Sequence, residues 1–280
     1  MPRFIPVFIT AIFLLSACQS IQNIRKVGTF PDSSLGSSLT VMSYNIRLGV
    51  GTHRNTSKLY DLAWGANLPE IINEIRIVDP DIIGLQEVAG LSQARKLGVA
   101  LNMNYAYVGH ETPRSNGSWW GVAVLSKFPI LSSRGVEISF GHGDQRTIIV
   151  SVLKVGRKQV HFINVHKDKD LKDGDSVERI LKVVNAIKGT VILAGDFNFT
   201  PNDKYQRYEL VTHQFVDTTI SVHTPGALYV QKFGTFFRSQ RRIDYIFVRP
   251  LEFTVLDVGV ARREQPASDH LAYFAKLRWD

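Results

Sequence analysis

Val191-Ile192-Leu193-Ala194-Gly195-Asp196-Phe197-Asn198 is an apolar run that ends in an acid and an amide. Its β-branched start reads as a buried strand. In extended chain, residues two apart face the same side, so Asp196 and Asn198 share a face just past the strand. The same pattern recurs along the chain. Val41-Met42 leads into Ser43-Tyr44-Asn45, and Ile82-Ile83-Gly84-Leu85 leads into Gln86-Glu87. Another strand ends in Asn164-Val165-His166, Asp244 lies inside Arg242-Ile243-Asp244-Tyr245-Ile246-Phe247, and Ser268-Asp269-His270 introduces the last apolar stretch.

A single polar residue at a strand end is ordinary hydrogen-bonded structure. A whole series of them, drawn from distant parts of the chain, points to a shared site. Burying several carboxylates is costly unless a cation or a proton compensates. Carboxylate and carbonyl oxygens suit magnesium, manganese or calcium. Cys18 is the one cysteine, which rules out an internal disulfide and a cysteine-based structural zinc site.

Around these motifs, the 280 residues, 44% hydrophobic and 21% charged, suit one large domain that begins at Leu39. Leu68–Val78 reads as a helix with Ile71, Ile72 and Ile75 on one face, stopped by Asp79-Pro80. Leu91–Leu101 reads as a second helix, and Ser176 is expected to cap a third over 177–188. Strands are expected at 39–46, 81–88, 105–109, 120–126, 130–138, 147–155, 159–166, 191–195, 243–248, 253–258 and 270–277. The middle strands follow one another without helices between them. That argues against a simple alternating parallel sheet and for two sheets packed face to face with helices outside.

Ser43-Tyr44-Asn45-Ile46, Leu85-Gln86-Glu87, Asn164-Val165-His166, Gly195-Asp196-Phe197-Asn198, Arg242-Ile243-Asp244-Tyr245 and Ser268-Asp269-His270, in this order, resemble the endonuclease/exonuclease/phosphatase superfamily. The resemblance runs over 39–280. It implies an α/β fold, a four-layered sandwich of two packed mixed sheets flanked by helices, and metal-dependent hydrolysis of phosphoesters. It makes Glu87 the principal ligand of a divalent metal, with Asn45 and Asp269 assisting; Mg2+ is expected, with Mn2+ or Ca2+ as alternatives. Asp196 orients or deprotonates the attacking water, or binds a second metal. Asn198 donates to a phosphoryl oxygen, and His270 contacts the phosphate with Asp244 holding its ring. His166 contacts the phosphate from the other side or protonates the leaving oxygen. Arg146 resembles an arginine that supports the site and binds substrate in some members; the other reading is an exposed arginine at a strand start. One departure concerns His166. Pancreatic-type deoxyribonucleases carry a glutamate partner for this histidine where the present chain has Ser118-Trp119-Trp120. The remaining histidines, at 53, 110, 142, 161, 213 and 223, match no motif position and read as structural or surface residues.

A net charge of +8 favours anionic partners. Arg238, Arg241, Arg242, Arg262, Arg263, Lys167, Lys169 and Lys172 flank the motifs, and on a shared rim they form a cationic mouth. Trp119, Trp120 and Phe236-Phe237 are candidates for base stacking, for lipid insertion, or for the core. Nucleic acid is therefore the first substrate expected. Sphingomyelinase-like or inositol-phosphate hydrolysis is the alternative within the class, and an inactive module binding anionic surfaces is the alternative outside it. The acids present at every motif position argue against the last. No protein partner is inferable.

The start of the chain reads as an address. Arg3, then the apolar run Phe4–Leu15, then Ser16-Ala17-Cys18 have the order of an export signal. Leu15-Ser16-Ala17-Cys18 resembles a bacterial lipobox. Residues 1–17 are thus expected to be removed and Cys18 to carry the lipid. Residues 18–38 are then a flexible tether with a reach of roughly 25 Å, and 39–280 form the catalytic domain. Gln19, in place of an aspartate, favours the outer membrane.

Overall fold

The computed structural model describes residues 23–25, 38–52, 64–110, 120–138, 146–169 and 175–279. The first sheet contains β1 (Asn23–Arg25), β2 (Leu39–Asn45), β3 (Ile82–Val88), β4 (Asn104–Gly109) and β5 (Gly121–Ser126). The second contains β6 (Ile130–Glu137), β7 (Thr147–Val155), β8 (Lys158–His166), β9 (Thr190–Asp196), β10 (Val216–Asp217) and β11 (Asp244–Val248). The chain then returns to the first sheet as β12 (Phe253–Val260) and β13 (Tyr273–Trp279). Strand order is β1-β4-β5-β3-β2-β13-β12 in the seven-stranded sheet and β10-β11-β9-β8-β7-β6 in the six-stranded one. Both sheets are mixed, because β2/β3 and β8/β9 pair in parallel while the other pairs are antiparallel.

A parallel pair needs a crossover, and helices supply it. Between β2 and β3 runs α1 (Leu68–Val78); between β8 and β9 runs α3 (Asp175–Asn185). α2 (Leu91–Leu101) follows β3. The helix α1 buries Leu68, Ile71 and Ile75, and ends where Asp79 adopts a left-handed conformation before Pro80. Together, α1 and α2 cover the outer face of the first sheet through Met42, Ile83, Leu85 and Leu125. On the outer face of the second sheet, α3 and α4 (Arg207–Thr212) pack on Ile148, Ile163, Val165 and Leu193. Between the sheets lie Val41, Val124, Phe162, Ile192, Ile246 and Ala275, among others. The result is the expected four-layered α/β sandwich.

A buried polar knot crosses that apolar interior. Asn164 of β8 donates to the backbone carbonyls of Leu85 (2.8 Å) and Ala123 (2.9 Å) in the opposite sheet. Its Oδ1 accepts from Gln86 Nε2 at 2.6 Å. Gly84 makes room: a Cβ there would lie 2.8 Å from Asn164 Oδ1. The knot stitches the sheets together directly beneath the strand ends that carry the motif residues.

The structure departs from the sequence reading in several places. Ser176 is buried inside α3 and does not precede it. His270 lies before β13, which starts at Tyr273. Two short elements, α4 and β10, and a further helix, α5 (Pro225–Phe233), were not anticipated. The start of α5 has a readable cause: Thr224 accepts from Ala227 N at 3.2 Å, with proline in the first turn. Within the segment read as a flexible tether, Asn23–Arg25 pairs antiparallel with β4. Cys18 and the export signal lie outside the described residues. Among those described, no helix is long and apolar enough to cross a membrane.

Candidate active site

Topology gathers the motif residues. The parallel pairs end at the same edge of the sandwich, delivering Asn45 and Glu87 from one sheet and His166 and Asp196 from the other. Because β11 runs antiparallel to β9, its first residue, Asp244, pairs with Asp196, while His166 pairs with Asp196 on the other side. Backbone strain aids the aim of three residues. Gly195 has φ 146°, and a Cβ there would lie 2.0 Å from Val165 O, so only glycine can precede Asp196. Glu87 (φ 51°) lies within a break in the β3–β5 register, between Leu85 and Val88, and Asn198 has the same φ. Both are non-glycine residues in the left-handed region, a placement concentrated at functional sites.

Asp196 is the hub. Its Oδ2 accepts from Asn45 Nδ2 at 3.1 Å and lies 3.6 Å from His166 Nε2 and 3.7 Å from His270 Nε2. Its Oδ1 accepts the Asn198 N–H at 3.0 Å. Burial raises the Asp196 carboxyl to about 6, although His270 and Asn45 pull the other way. Asn45 also donates to Glu87 Oε1 at 3.2 Å and so ties the two sheets' carboxylates together.

The two histidines have opposite electrostatic surroundings. His270 Nδ1 is 2.9 Å from Asp244 Oδ2, which also accepts from Thr235 Oγ1 at 2.7 Å. Burial disfavours the charged ring, but Asp244 and Asp196 outweigh it and lift His270 to about 10. It is an imidazolium at neutral pH. His166 is buried and has Arg146 Nη1 at 3.1 and 3.3 Å from its ring nitrogens. Burial, then the charge of Arg146, holds it well below its ordinary value, as a neutral ring. Trp120 packs edge-on to His166 with ring centres 5.0 Å apart, and Arg146 lies over the Trp120 ring at 4.4 Å. A cation and an indole thus stand where the resemblance calls for a carboxylate. An imidazolium general acid at His166 does not fit this setting. Arg146 is buried, which overturns the reading of an exposed strand-start arginine.

Asp269 is 3.2 Å from Arg47 Nε. Ser268 Oγ donates to the Asn45 carbonyl at 2.7 Å, and Arg47 N–H donates to Asn45 Oδ1 at 3.0 Å, so Asp269, Asn45 and Arg47 form one connected group. Asn198 Nδ2 donates to Lys167 O at 2.8 Å, which leaves its amide a second N–H. Arg47 and Thr235 are the residues that motif reading missed, and Ser268, inside a motif, was given no role. Arg47 lies two residues past Asn45, but nothing local marks it as a partner. Thr235 has no sequence signal at all.

The donors fit a hard divalent cation. Glu87, Asn45 and Asp269 supply oxygen ligands of the kind magnesium prefers, and the Glu87 side chain keeps 20% exposure at the cleft. Asp196, Asp244 and His270 form a second group able to hold a metal, with ligand atoms all within 4.8 Å of one another. Asp244 Oδ1 is buried with no hydrogen-bond partner among the described residues, as an oxygen available to a cation would be. His270 can ligate through Nε2 only by giving up its Nε2 proton, with the Nδ1–H kept on Asp244.

The cationic mouth is smaller than the sequence implied. Arg242 is buried, with Nη1 2.6 Å from Asp217 Oδ2 and its guanidinium over Tyr245 at 4.8 Å. Lys167 is buried with Nζ on Asp168 O. Arg262 pairs with Glu70 and Glu74, and Arg263 lies over Tyr229. Arg238, Arg241, Arg263 and Lys169 remain exposed; Lys172 and Trp119 lie outside the described residues.

Comparison with known proteins agrees with this geometry. The model of the endonuclease/exonuclease/phosphatase family matches residues 42–270. The chain belongs to that family, and as a member of it is a phosphoester hydrolase. A solved family member from Bacteroides thetaiotaomicron is 26% identical, with 87% of this chain and 98% of that one covered at TM-score 0.65. A functionally unknown conserved protein from Enterococcus faecalis is 20% identical over 86% of this chain and 100% of its own, at TM-score 0.70. The mannosyl-6-phosphatase of Bacteroides thetaiotaomicron is 24% identical over 86% of this chain and 100% of its own, at TM-score 0.64. A search of curated proteins gave no significant match.

Proposed function

We propose that the protein is an exported phosphodiesterase that cleaves nucleic acid with a divalent cation, magnesium first and manganese or calcium as substitutes, held by Glu87, Asn45 and Asp269. The observation that carries the reading is the convergence of Asn45, His166 and His270 within 3.7 Å of one Asp196 oxygen. Above about pH 6 Asp196 is ionised, so it orients the attacking water and takes its proton. His270, charged and fixed by Asp244, donates to a phosphoryl oxygen and stabilises charge that grows in the transition state. The second amide N–H of Asn198 donates to another oxygen. Neutral His166, aligned by Arg146, contacts the phosphate from the far side. When bound, the cation polarises the phosphoryl group and neutralises developing charge. Nucleic acid is supported by the exposed cations Arg238, Arg241 and Lys169 and by the exposed ring of Phe237.

The experiment is a substrate panel run with magnesium and with chelator: plasmid DNA, RNA, sphingomyelin vesicles, inositol phosphates and mannose 6-phosphate. Magnesium-dependent cleavage of nucleic acid is the expected result; turnover of another panel member alone overturns the substrate assignment. Export and a lipid on Cys18, placing the domain at the outer membrane, belong to the same proposal. Cys18→Ser should move the protein from the membrane to the soluble fraction, and retention in the membrane would refute the anchor.

A further inference from the structure

We infer that the hairpin over residues 235–242 is a stacking platform for an unpaired base beside the scissile phosphate, which makes single-stranded nucleic acid the substrate rather than duplex. The inference rests on the nucleic-acid reading above and sharpens it.

The hairpin is fastened to the site. Phe236 bridges Arg241 on one side and His270 on the other, and its ring packs edge-on against the His270 ring at 4.9 Å. The next residue, Phe237, donates its backbone N–H to Asp269 O at 2.9 Å. Phe237 is therefore held against the metal-binding and catalytic edge, yet its side chain is 40% exposed. A scattered surface phenylalanine needs no explanation. This one is bordered by cations. Arg238 reaches across to the Thr52 carbonyl in the stretch that follows β2, and the Arg241 guanidinium lies 5.5 Å from the Phe236 ring centre. Exposed Lys169 is close enough to Asp196 and His166 for its charge to act on both. A ring and exposed cations thus border the reacting edge, the composition by which proteins hold single strands.

Duplex fits this edge poorly. Its bases are stacked on their neighbours, so Phe237 meets a base face only after unstacking. Gripping two backbones also calls for a wide cationic surface, whereas Arg242 and Lys167 are buried on protein partners and Arg262 is paired with Glu70 and Glu74. Arg238, Arg241 and Lys169 suit a short stretch of one backbone.

The test compares the wild-type protein, Phe237→Ala and Phe237→Trp on three substrates with magnesium. These are a short single strand, the same strand annealed to its complement, and the strand with an abasic position beside the cleavage point. The wild type should favour the single strand over the duplex. In Phe237→Ala, KM for the base-bearing strand should rise roughly 5- to 150-fold, the range set by loss of one base stack. The KM ratio between abasic and base-bearing strands should collapse toward one, and Phe237→Trp should restore it. Binding of the single strand should weaken with salt at a logarithmic slope of roughly −2, about −0.7 for each of three phosphate contacts. Equal cleavage of duplex and single strand, or an unchanged KM ratio in folded Phe237→Ala, overturns the inference and leaves the nuclease reading standing. Hydrolysis of bis-p-nitrophenyl phosphate with no cleavage of any strand overturns both.

Discussion

His270 is suspended between two carboxylates: its Nδ1 lies 2.9 Å from Asp244 Oδ2, and its Nε2 lies 3.7 Å from Asp196 Oδ2. Both carboxylates favour the charged ring, so the imidazolium persists to high pH. Asp244→Asn keeps the side chain's shape but removes the charge. It should lower kcat about 10²- to 10³-fold, the usual cost of losing one preorganised charge-stabilising group. The alkaline limb of the kcat profile, near 10 in the wild type, should also move toward neutral pH. A limb that stays in place would show that Asp244 does not hold the proton on His270.

The acid limb is expected from Asp196. Burial favours its neutral form, so it takes up a proton as the pH falls through about 6. The protonated acid cannot accept from water, and kcat should fall about tenfold per unit below that point. Asp196→Asn should be inactive at every pH. A wild-type rate that stays flat from about pH 7 down to about pH 5 contradicts this assignment.

Chelation should abolish hydrolysis of bis-p-nitrophenyl phosphate, with activity restored by magnesium or manganese. Glu87→Gln should raise the metal concentration for half-activation by more than the 10- to 100-fold typical of residues that merely support a ligand. Metal titration with activity as the readout decides the matter, and an unaltered midpoint removes Glu87 from the ligand set.

Asn164 should matter for stability before it matters for chemistry. Asn164→Ala removes the side-chain donor to the buried Leu85 and Ala123 carbonyls and one of the three acceptors of the Gln86 amide. A loss of at least about 1–3 kcal/mol is expected. Thermal unfolding should show a Tm lower by roughly 2–4 °C for each kcal/mol. A Tm equal to that of the wild type would mean that the sheets do not depend on the knot.

Arg242 is expected to behave as an interior residue. Arg242→Met strands the buried carboxylate of Asp217 and should cost about 3–5 kcal/mol by urea denaturation. Arg241→Ala, one position away, should leave the denaturation midpoint nearly unchanged and weaken the salt dependence of substrate binding. The opposite pattern would put Arg242 on the rim.

Much was legible before folding, because it is written locally. The run 191–198 announces a strand that ends in an acid and an amide, although the left-handed Asn198 lies past the strand and not in extended chain; the order of such runs identifies the family, the sandwich and the motif residues from Asn45 to His270. Short elements escaped for lack of periodicity: β10 has two residues and α4 has six, too few for a pattern to show. What only the tertiary structure decided is how each charge is compensated. Arg241 and Arg242 look alike in sequence, yet one is exposed and the other is buried on Asp217, 25 positions away. His166 and His270 both end motifs, yet Arg146 beside one and Asp244 beside the other give the rings opposite charge states. Side-chain type and spacing are properties of the chain, whereas burial and pairing arise from contacts between strands distant in sequence.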